Sequence, residues 1–335
     1  MPGPDYQKVF ERFRHLRVMV IGDVMVDAYI FGKVERISPE APVPVVLIEK
    51  RVNRLGGAAN VALNLKALGA EPILCSVTGS DPKGEEFRQL LAEAKISGEA
   101  VLTSKDRITT TKFRVFGNNS HMLRVDEEMT HDLSEREQSI LIAKIFEILE
   151  KSAIHAIIFQ DYNKGVITSD VISQVITKAR AQNIPVAVDP KKKNFLQYKG
   201  ATFFKPNLKE LREGLGQDIR GNDLHSLEEA ADYLHKKLDI GTIMSTLSEQ
   251  GVFISRREPG GKVSQHLIHA HVRNISDVSG AGDTVISVAA LCLACDLHPA
   301  ELASLANLAG GLVCEEVGVV PVNRDKLLKE SIKLL

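Results

Sequence analysis

The sequence has almost no net charge and no long apolar run. Its 42 Lys and Arg residues nearly balance its 43 Asp and Glu residues, which excludes a broad electrostatic surface for nucleic acid or anionic lipid. Its uncharged apolar runs are shorter than the ~18–20 residues of a membrane-spanning helix. Residues 1–13 are polar and lack the apolar segment of a signal peptide. We therefore expect a cytoplasmic protein with neither a nucleic-acid nor a membrane partner.

The sequence has only four cysteines, and they do not form the pattern of a metal site. Cys292 and Cys295 have CxxC spacing, but they lie in the apolar stretch 285–297, which is typical of a helix. Neither the other cysteines nor the histidines supply two more ligands at matching spacing. We expect buried thiols in a reducing compartment. Walker A, GxSxG, HExxH and GxGxxG motifs are also missing, so the chemistries that they mark have no local support.

Short apolar runs and amphipathic segments alternate along most of the chain. The apolar runs predict buried strands at residues 18–22 and 45–48, and further strands at 72–77, 154–159, 185–188 and 242–247. Helical spacing of apolar residues predicts helices at residues 58–68, 84–94, 169–181, 208–215 and 224–238, and mostly helix over 280–335. This alternation is typical of βαβ units. We expect an α/β fold with a mostly parallel central sheet and helices on both faces.

Two segments do not follow this alternation. Residues 27–50 contain three prolines and alternate apolar with polar side chains. Residues 109–125 form two β-rich runs around Gly117-Asn118-Asn119, a sequence typical of a hairpin turn. We expect a small β-sheet lid formed by about residues 29–50 and 109–125. No repeat or flexible linker divides the chain, so residues 1–335 are expected to form one domain with this appendage.

The strongest local signal is Asp277-Val278-Ser279-Gly280-Ala281-Gly282-Asp283, which precedes a long apolar helix. Small residues allow backbone N–H groups to approach a ligand at the positive end of the helix, as an anion-binding site requires. Asp283 falls in the first helical turn, where it could accept a proton from an attacking hydroxyl. From these residues alone, a tight turn with a helix-favouring aspartate explains the segment equally well.

Two other segments place polar groups beside glycines or strand ends. Gly56 and Gly57 precede the predicted helix 58–68, and Asn60 within it can both donate and accept hydrogen bonds. Asp23 and Asp27 follow the first strand, at the edge where open α/β sheets bind ligands. Their carboxylates suit sugar hydroxyls, which donate hydrogen bonds. An ordinary loop-to-helix turn and solvated turn residues remain the alternatives.

Together these segments resemble the ribokinase/PfkB family of carbohydrate kinases. The resemblance lies in two signatures, GGAANVALNLKALG at residues 56–69 and DVSGAGDT at residues 277–284, and it covers essentially the whole chain. It implies a ribokinase-like α/β fold, ATP and Mg²⁺ as cofactors, and phosphoryl transfer to a sugar hydroxyl. Because independent motifs agree, the catalytic interpretation of Asp283 is favoured over the structural one.

Further motifs resemble the bacterial D-glycero-β-D-manno-heptose 7-phosphate kinases within that family. They are RISPEAPVP at residues 36–44, TKFRV at 111–115, DYNKG at 161–165, DPK at 189–191, KPNLKE at 205–210 and SEQG at 248–251. The resemblance implies phosphorylation of the anomeric hydroxyl to the 1,7-bisphosphate, a precursor in lipopolysaccharide core synthesis. Asn163 and Lys192 stand where that group favours glycine, and residues 317–322 lack the small hydroxyl residues expected near a monovalent-cation site.

The resemblance also implies roles for individual residues. Asp283 would be the catalytic base, and Gly280, Ala281 and Gly282 would supply amides to the transferred phosphoryl group. Sugar hydroxyls would be held by Asp23, Asp27, Gly56, Gly57 and Asn60, and the distal phosphate of the sugar by Arg36, Arg114, Lys164 and Lys191. ATP would lie against Asn207, Leu208, Lys209, Glu210, Ser248 and Gly251, with Glu210 acting on Mg²⁺ through water.

Two other functions remain open at this stage. A different sugar or nucleoside kinase of the family would keep the catalytic residues without the contacts to a distal phosphate. A non-catalytic sugar-phosphate sensor would not need Asp283, so the intact GAGD segment speaks against it. No HxGH motif occurs, so we expect the kinase part alone, without a nucleotidyltransferase domain.

The lid segments also predict an assembly. They are short but rich in apolar side chains, among them Val43, Leu47, Val115 and Leu123. Strand alternation puts part of this set on the outer face, where a monomer would expose an apolar patch and open strand edges. We therefore expect a homodimer in which two lids pack on each other, as the family resemblance also implies.

Overall fold

A nine-stranded sheet forms the centre of the protein. The structure is a computed structural model that describes residues 4–258 and 260–335. The strands are β1 (Arg17–Gly22), β2 (Val24–Ile37), β3 (Pro44–Gly57), β4 (Glu71–Gly79), β5 (Val101–Ser104), β6 (Thr111–Gly117), β7 (Ser120–Glu127), β8 (Ala156–Gln160), β9 (Val186–Asp189), β10 (Phe203–Phe204), β11 (Thr242–Thr246), β12 (Val252–Arg257) and β13 (Val263–Ile268). The large sheet has the order β13-β12-β11-β10-β9-β8-β1-β4-β5. The seven strands β11-β10-β9-β8-β1-β4-β5 of this order are parallel to one another. β12 and β13 continue the sheet beyond β11 as an antiparallel edge. The expected α/β class with a mostly parallel sheet is confirmed.

Helices pack on both faces of the large sheet. They are α1 (Tyr6–Phe13), α2 (Ala58–Ala67), α3 (Pro82–Glu93), α4 (Glu135–Lys151), α5 (Ser169–Ala181), α6 (Leu208–Leu215), α7 (Leu224–Leu238), α8 (Ala281–Ala294), α9 (Pro299–Val313) and α10 (Arg324–Leu334). Side chains alternate along β1, so Val18 and Val20 pack with residues of α2, α8 and α9. Met19 and Ile21 point to the opposite face and pack with residues of α4, α5 and α7. The two cores are therefore separated by the sheet.

Strands β3, β2, β6 and β7 form a separate small sheet, in that order. β2 pairs in parallel with β6 and antiparallel with β3, and β6 and β7 form the expected hairpin. At its turn, Asn118 and Asn119 have φ angles of 51° and 64°, the left-handed geometry that favours asparagine and glycine in two-residue turns. The small sheet continues directly from the large one, because only Asp23 separates β1 from β2.

Residues 45–48 form a strand as predicted, but the prediction that this strand is buried was wrong. This segment belongs to β3 of the small sheet, where Leu47 and Ile48 are 48% and 49% exposed. An apolar run alone does not distinguish a strand covered on both faces from one with an open face. The sequence patterns also did not predict helix α4 or the antiparallel edge formed by β12 and β13.

All four cysteines are buried and unbridged, as expected. Burial raises the pKa of the Cys292 thiol well above its usual range, so this side chain behaves as a small apolar residue of α8. Within residues 4–258 and 260–335, every helix is too short or too polar to cross a lipid bilayer.

Candidate active site

Three neighbouring strands bring polar side chains to one edge of the large sheet. Gly22 at the end of β1 pairs with Gln160 at the end of β8, and Gln160 pairs with Asp189 at the end of β9. Asp23 and Tyr162 follow two of these strand ends. Because parallel strands end at the same edge, and ligands of α/β sheets bind there, this edge is the floor of the candidate site.

The first turn of α8 lies over this edge. Gly280 precedes the helix with φ = 82°, and a Cβ at this position would lie 3.1 Å from Asn60 Nδ2. Glycine is therefore favoured there by both backbone conformation and space. Within the described residues, no side chain caps the start of α8. The N–H of Ala281 donates to the Val278 carbonyl at 3.3 Å, which leaves the N–H groups of Gly282 and Asp283 for an anion at the positive end of the helix.

Asp283 lies in the first turn of α8, almost completely buried among hydrogen-bond donors. Its Oδ2 accepts a hydrogen bond from Asn60 Nδ2 at 2.7 Å. Its Oδ1 accepts from the Tyr162 hydroxyl at 2.7 Å and from Gln160 Nε2 at 3.1 Å. Burial raises the pKa of Asp283 to about 6, against the lowering effect of the Asn60 and Tyr162 hydrogen bonds. The carboxylate is therefore ionised at pH 7 and able to accept a proton.

A buried ion pair lies beside this carboxylate. Lys205 Nζ is 3.1 Å from Asp189 Oδ2, and the two side chains are only 2% and 6% exposed. Gln160 Nε2 donates to the same Asp189 oxygen at 3.2 Å, so the amide of Gln160 bridges Asp189 and Asp283. A Cβ at Gly282 would lie 3.7 Å from Lys205 Nζ. The lysine thus adds positive charge next to the amides of α8.

A cavity of about 420 Å³ opens between the first turns of α8 and α6. Asn207 caps α6 by accepting from the backbone N–H of Glu210 at 2.9 Å, and Glu210 in return accepts from the N–H of Asn207 at 2.8 Å. Lys191 forms an ion pair with the other oxygen of Glu210. Nine residues assigned from the sequence line the cavity: Lys191, Asn207, Leu208, Lys209, Glu210, Ser248, Gly280, Gly282 and Asp283.

Asp23 holds the loop that carries Tyr162. Its carboxylate accepts hydrogen bonds from the backbone N–H groups of Tyr162, Lys164 and Val166, at 2.9, 3.1 and 3.0 Å. Burial, together with the negative charge of the nearby Asp161, raises the pKa of Asp23 to about 6. The three hydrogen bonds position Tyr162 against Asp283. The sugar-binding role assigned to Asp23 from the family resemblance stays a prediction.

Asp27 lies on β2, at the side of the small sheet nearest to the large one. Its side chain is 5% exposed and forms an ion pair with Arg114 at 2.6 Å. Gly57 has φ = 60°, and a Cβ on it would collide with the carbonyl oxygen of Asp23. A Cβ on Gly56 would collide with the Asp27 carboxylate. These two glycines therefore allow the end of β3 to pass close to both acidic residues.

Three more cations lie close to Asp27, whose partner on β6 is Lys112. Lys112 and Arg124 pair with Asp126 at 3.4 and 2.6 Å, and Lys164 pairs with Glu128 at 2.7 Å. The lysine side chains are only 13% and 14% exposed. Burial lowers the pKa of Lys112, and the charges of Arg124 and Lys164 also lower it. This cation cluster, Lys112, Arg124 and Lys164, thus has three positive charges against the two carboxylates with which it pairs, Asp126 and Glu128. Its two lysines are enclosed, whereas Arg124 is 47% exposed.

Residues 15–326 match the family described as pfkB family carbohydrate kinase. The chain belongs to the PfkB family of carbohydrate kinases. Among its relatives is a protein named Bifunctional protein HldE from Methylobacillus flagellatus, 39% identical over 313 residues, covering 93% of this chain and 62% of the relative. A second protein of that name, from Geotalea uraniireducens, is 37% identical over 331 residues, covering 98% and 66%. This PfkB chain therefore spans slightly less than two thirds of the length of these relatives.

Solved structures of two other kinases have the same fold as this chain. Phosphofructokinase-2 from Escherichia coli in complex with potassium superposes with a TM-score of 0.78 at 20% identity, covering 95% of this chain and 99% of that one. Arabidopsis thaliana ribokinase complexed with ribose and ATP superposes with a TM-score of 0.68 at 17% identity, covering 94% and 98%. The ribokinase-like fold expected from the sequence is confirmed, and the chain is a carbohydrate kinase by family.

Two residues assigned from the sequence lie apart from the rest of this PfkB site. Arg36 is exposed on β2, and its distance from Asp27 along that strand is about 30 Å, at ~3.3 Å per residue. Gly251, with φ = 97°, precedes β12 and packs its backbone against β13. Neither residue lines the cavity. Their assigned roles in phosphate and ATP binding stay predictions.

Several residues of the PfkB site were not assigned from the sequence. They are Gln160, Tyr162, Asp189, Lys205, Lys112 and Arg124. The ends of predicted strands were the signal for Gln160 and Asp189, because parallel pairing brings such ends together. Lys205 lies inside the KPNLKE motif, but its pairing with Asp189 depends on the tertiary fold.

Proposed function

We propose that this chain transfers the γ-phosphoryl group of ATP to the anomeric hydroxyl of D-glycero-D-manno-heptose 7-phosphate, giving the 1,7-bisphosphate and ADP. The observation that carries the proposal is the buried Asp283 carboxylate in the first turn of α8, beside amides with no capping side chain in the described residues. The carboxylate takes the proton of the attacking hydroxyl, and the amides stabilise charge on the transferred group. Positioning and charge stabilisation supply most of phosphoryl-transfer catalysis.

The cavity between α6 and α8 suits the phosphates of ATP. Lys191 and Lys205 provide positive charge, and the amides of α8 next to Lys205 provide N–H donors. Asn207 and Glu210 line the same cavity next to Lys191, and the family resemblance implies that they contact the nucleotide.

Mg²⁺ fits this cavity as an ion carried by the nucleotide. In residues 4–258 and 260–335, no group of three or more His, Cys, Asp or Glu side chains could hold a metal by itself. Glu210 is engaged by Lys191 and by the Asn207 N–H, so it suits contact through water. Such coordination is usual for Mg²⁺ bound to nucleotide phosphates. When bound, the ion supplies charge neutralisation at the phosphates.

The sugar is proposed to lie between Asp283 and the start of the small sheet. Asn60 Oδ1 is buried and has no hydrogen-bond partner among the described residues, so it is an acceptor available to a sugar hydroxyl. Asp27 and the backbone at Gly57 border the same space. The small sheet would act as the lid that keeps water from the phosphoryl group.

The cation cluster supports a sugar that carries a second phosphate. The enclosed Lys112 and Lys164 and the half-exposed Arg124 repel one another. A dianionic phosphate would relieve that repulsion and gain charge-assisted hydrogen bonds. Arg114, next to Asp27, is a further candidate for the same phosphate. This chemistry agrees with the motifs shared with the heptose 7-phosphate kinases and with the HldE name of the relatives.

A screen of ADP release over sugars and sugar phosphates tests the proposal. We expect heptose 7-phosphate to be the best substrate, and dephosphorylated heptose to have at least about tenfold lower kcat/KM, because each lost charge-assisted contact is worth ~1.5–3 kcal/mol. Lys164→Met should remove much of this preference. Lys33→Met on the exposed part of β2 is the matched control. Equal rates on heptose and heptose 7-phosphate would favour the alternative, a kinase for a free sugar or nucleoside.

A further inference from the structure

The two oxygens of the Asp283 carboxylate have different surroundings. Oδ1 accepts two hydrogen bonds, from Gln160 Nε2 at 3.1 Å and from the Tyr162 hydroxyl at 2.7 Å. Oδ2 accepts one, from Asn60 Nδ2 at 2.7 Å. Gln160 is the last residue of β8, and Tyr162 lies two positions further on. The end of a single central strand therefore supplies both partners of Oδ1.

This difference limits where a substrate hydroxyl can bind. Each carboxylate oxygen has two lone pairs, so the two donors fill the hydrogen-bonding capacity of Oδ1. Oδ2 keeps one lone pair free. Both donors on Oδ1 are also permanent, because an amide does not ionise and burial raises the pKa of Tyr162 well above its usual range. A hydroxyl that approaches Asp283 can therefore donate only to Oδ2 without displacing a donor.

We infer that Gln160 and Tyr162 are positioning residues, which hold Oδ1 so that Oδ2 is the oxygen that accepts the substrate proton. The inference rests on the proposed function, in which Asp283 is the base. Neither residue needs to contact the sugar for this role. Their contribution is to fix the rotation of the carboxylate and to stabilise its ionised form, which hydrogen bonds to the charged state do.

The two residues are themselves held in place. Asp23 fixes the Tyr162 backbone through the 2.9 Å hydrogen bond to its N–H, and the Lys191 ammonium lies 5.5 Å from the centroid of the Tyr162 ring. The other charged groups that face Asp283 are Asp189 and Lys205. Tyr162→Phe removes only the hydroxyl that donates to Oδ1, whereas Gln160→Met also removes the 3.2 Å hydrogen bond from Gln160 Nε2 to Asp189 Oδ2. The tyrosine variant is therefore the cleaner test of the two.

Tyr162→Phe and Gln160→Met each remove one donor and keep the approximate volume. Tyr198→Phe is the matched control, because the buried Tyr198 hydroxyl donates to Asp161 Oδ2 at 2.8 Å and not to Asp283. Two measurements are made on each full-length variant. One is the pH profile of kcat/KM. The other is the carboxyl ¹³C NMR titration of Asp283, assigned by its absence in Asp283→Asn.

Loss of either donor should raise the apparent pKa of the acidic limb of the kcat/KM profile by about one pH unit. It should raise the midpoint of the NMR titration by the same amount. The control should keep both near the wild-type value. Unchanged midpoints in Tyr162→Phe and Gln160→Met would overturn the inference, even if catalysis were slower. The NMR titration needs no turnover, so it decides this point even if heptose 7-phosphate proves not to be the substrate.

Discussion

Lys205 and Asp189 form an ion pair of 3.1 Å in which both side chains are almost completely buried. Removing one partner of such a pair leaves the other charge without compensation in a poorly solvated place. Lys205→Met should therefore lower the free energy of unfolding by about 3 kcal/mol or more, measured by urea denaturation. It should also weaken ATP binding, because positive charge beside the α8 amides is lost.

The double variant Lys205→Met/Asp189→Asn separates these effects. It removes both charges, so most of the lost stability should return while ATP binding stays weak. Lys151→Met is the control, since the Lys151 side chain on α4 is 72% exposed and pairs with its neighbour Glu147. A Lys205→Met protein as stable as wild type would show that water enters the cavity and solvates Asp189.

Asp283→Asn keeps the shape of the side chain and removes its ability to accept a proton. We expect kcat to fall by about 10²–10⁴-fold with ATP binding retained, measured by ADP release and by equilibrium titration of the nucleotide. Asp296→Asn, just beyond the other end of α8 and exposed, is the matched control. Near-normal turnover of the Asp283→Asn protein would exclude Asp283 as the base.

The raised pKa of Asp283 also predicts a dependence of stability on pH. Its pKa is about 6 in the folded protein, against an ordinary value of 3.8, so between these values the folded state binds more protons than the unfolded state. Stability from this group therefore falls as pH rises from 4 to 6 and stays low above that range. Asp283→Asn removes the effect.

The melting temperature of the Asp283→Asn protein should exceed that of the wild type at pH 8, by an amount equivalent to at most about 3 kcal/mol. The difference should shrink towards pH 4. Thermal unfolding in a series of buffers measures it, with Asp296→Asn expected to follow the wild-type curve. A variant less stable than wild type at pH 8 would mean that hydrogen bonds outweigh the desolvation of this carboxylate.

The small sheet is predicted to form a homodimer contact. Leu123 and Val125 on β7 are 56% and 46% exposed, and they pair with Val115 and Phe113 on β6, so one face has a continuous apolar strip. Light scattering should give twice the chain mass of 36.8 kDa at micromolar concentration. A mass near 36.8 kDa would reject the dimer.

Leu123→Asp, in the centre of that strip, should shift the protein to the monomer. Sugar affinity should fall with it, because the same sheet borders the sugar site. Leu224→Asp is the control, since Leu224 is 46% exposed at the start of α7, away from the small sheet. Loss of the dimer with unchanged sugar affinity would contradict a shared role of the sheet.

The fold class and the position of Asp283 could be predicted from the sequence because both depend on local pattern. Strand runs, helix periodicity and the glycine-rich start of α8 are contiguous in the chain. The burial of β3 could not be predicted, because Leu47 and Ile48 look like core residues until the partners of the strand are known. The antiparallel edge of β12 and β13 was missed because its strands combine apolar with polar side chains at a sheet boundary.

The candidate site depends more than the fold class does on contacts between residues that are far apart in the sequence. Gln160 is 123 residues from Asp283 in the chain, and Asn60 is 223 residues from it. We expected Asp23 to bind sugar hydroxyls, because a carboxylate accepts hydrogen bonds from them. In the structure its oxygens accept hydrogen bonds from three backbone N–H groups of a loop about 140 residues away. A pattern in one sequence shows which residue type stands at a position. It does not show which hydrogen-bond partner that side chain has in the folded chain.

Within the part of the chain that the structure describes, the small sheet joins the large sheet and α2 through very short junctions. β1 ends at Gly22 and β2 begins at Val24, while β3 ends at Gly57 and α2 begins at Ala58. The carbonyl of Asp23 accepts the N–H of Ala58 at 2.9 Å, which ties the two junctions together. Any rotation of the small sheet would therefore also move the first turn of α2. Asn60 lies in that turn and donates a hydrogen bond to Asp283, so the proposed closure over a sugar would also move a residue that orients the proposed base.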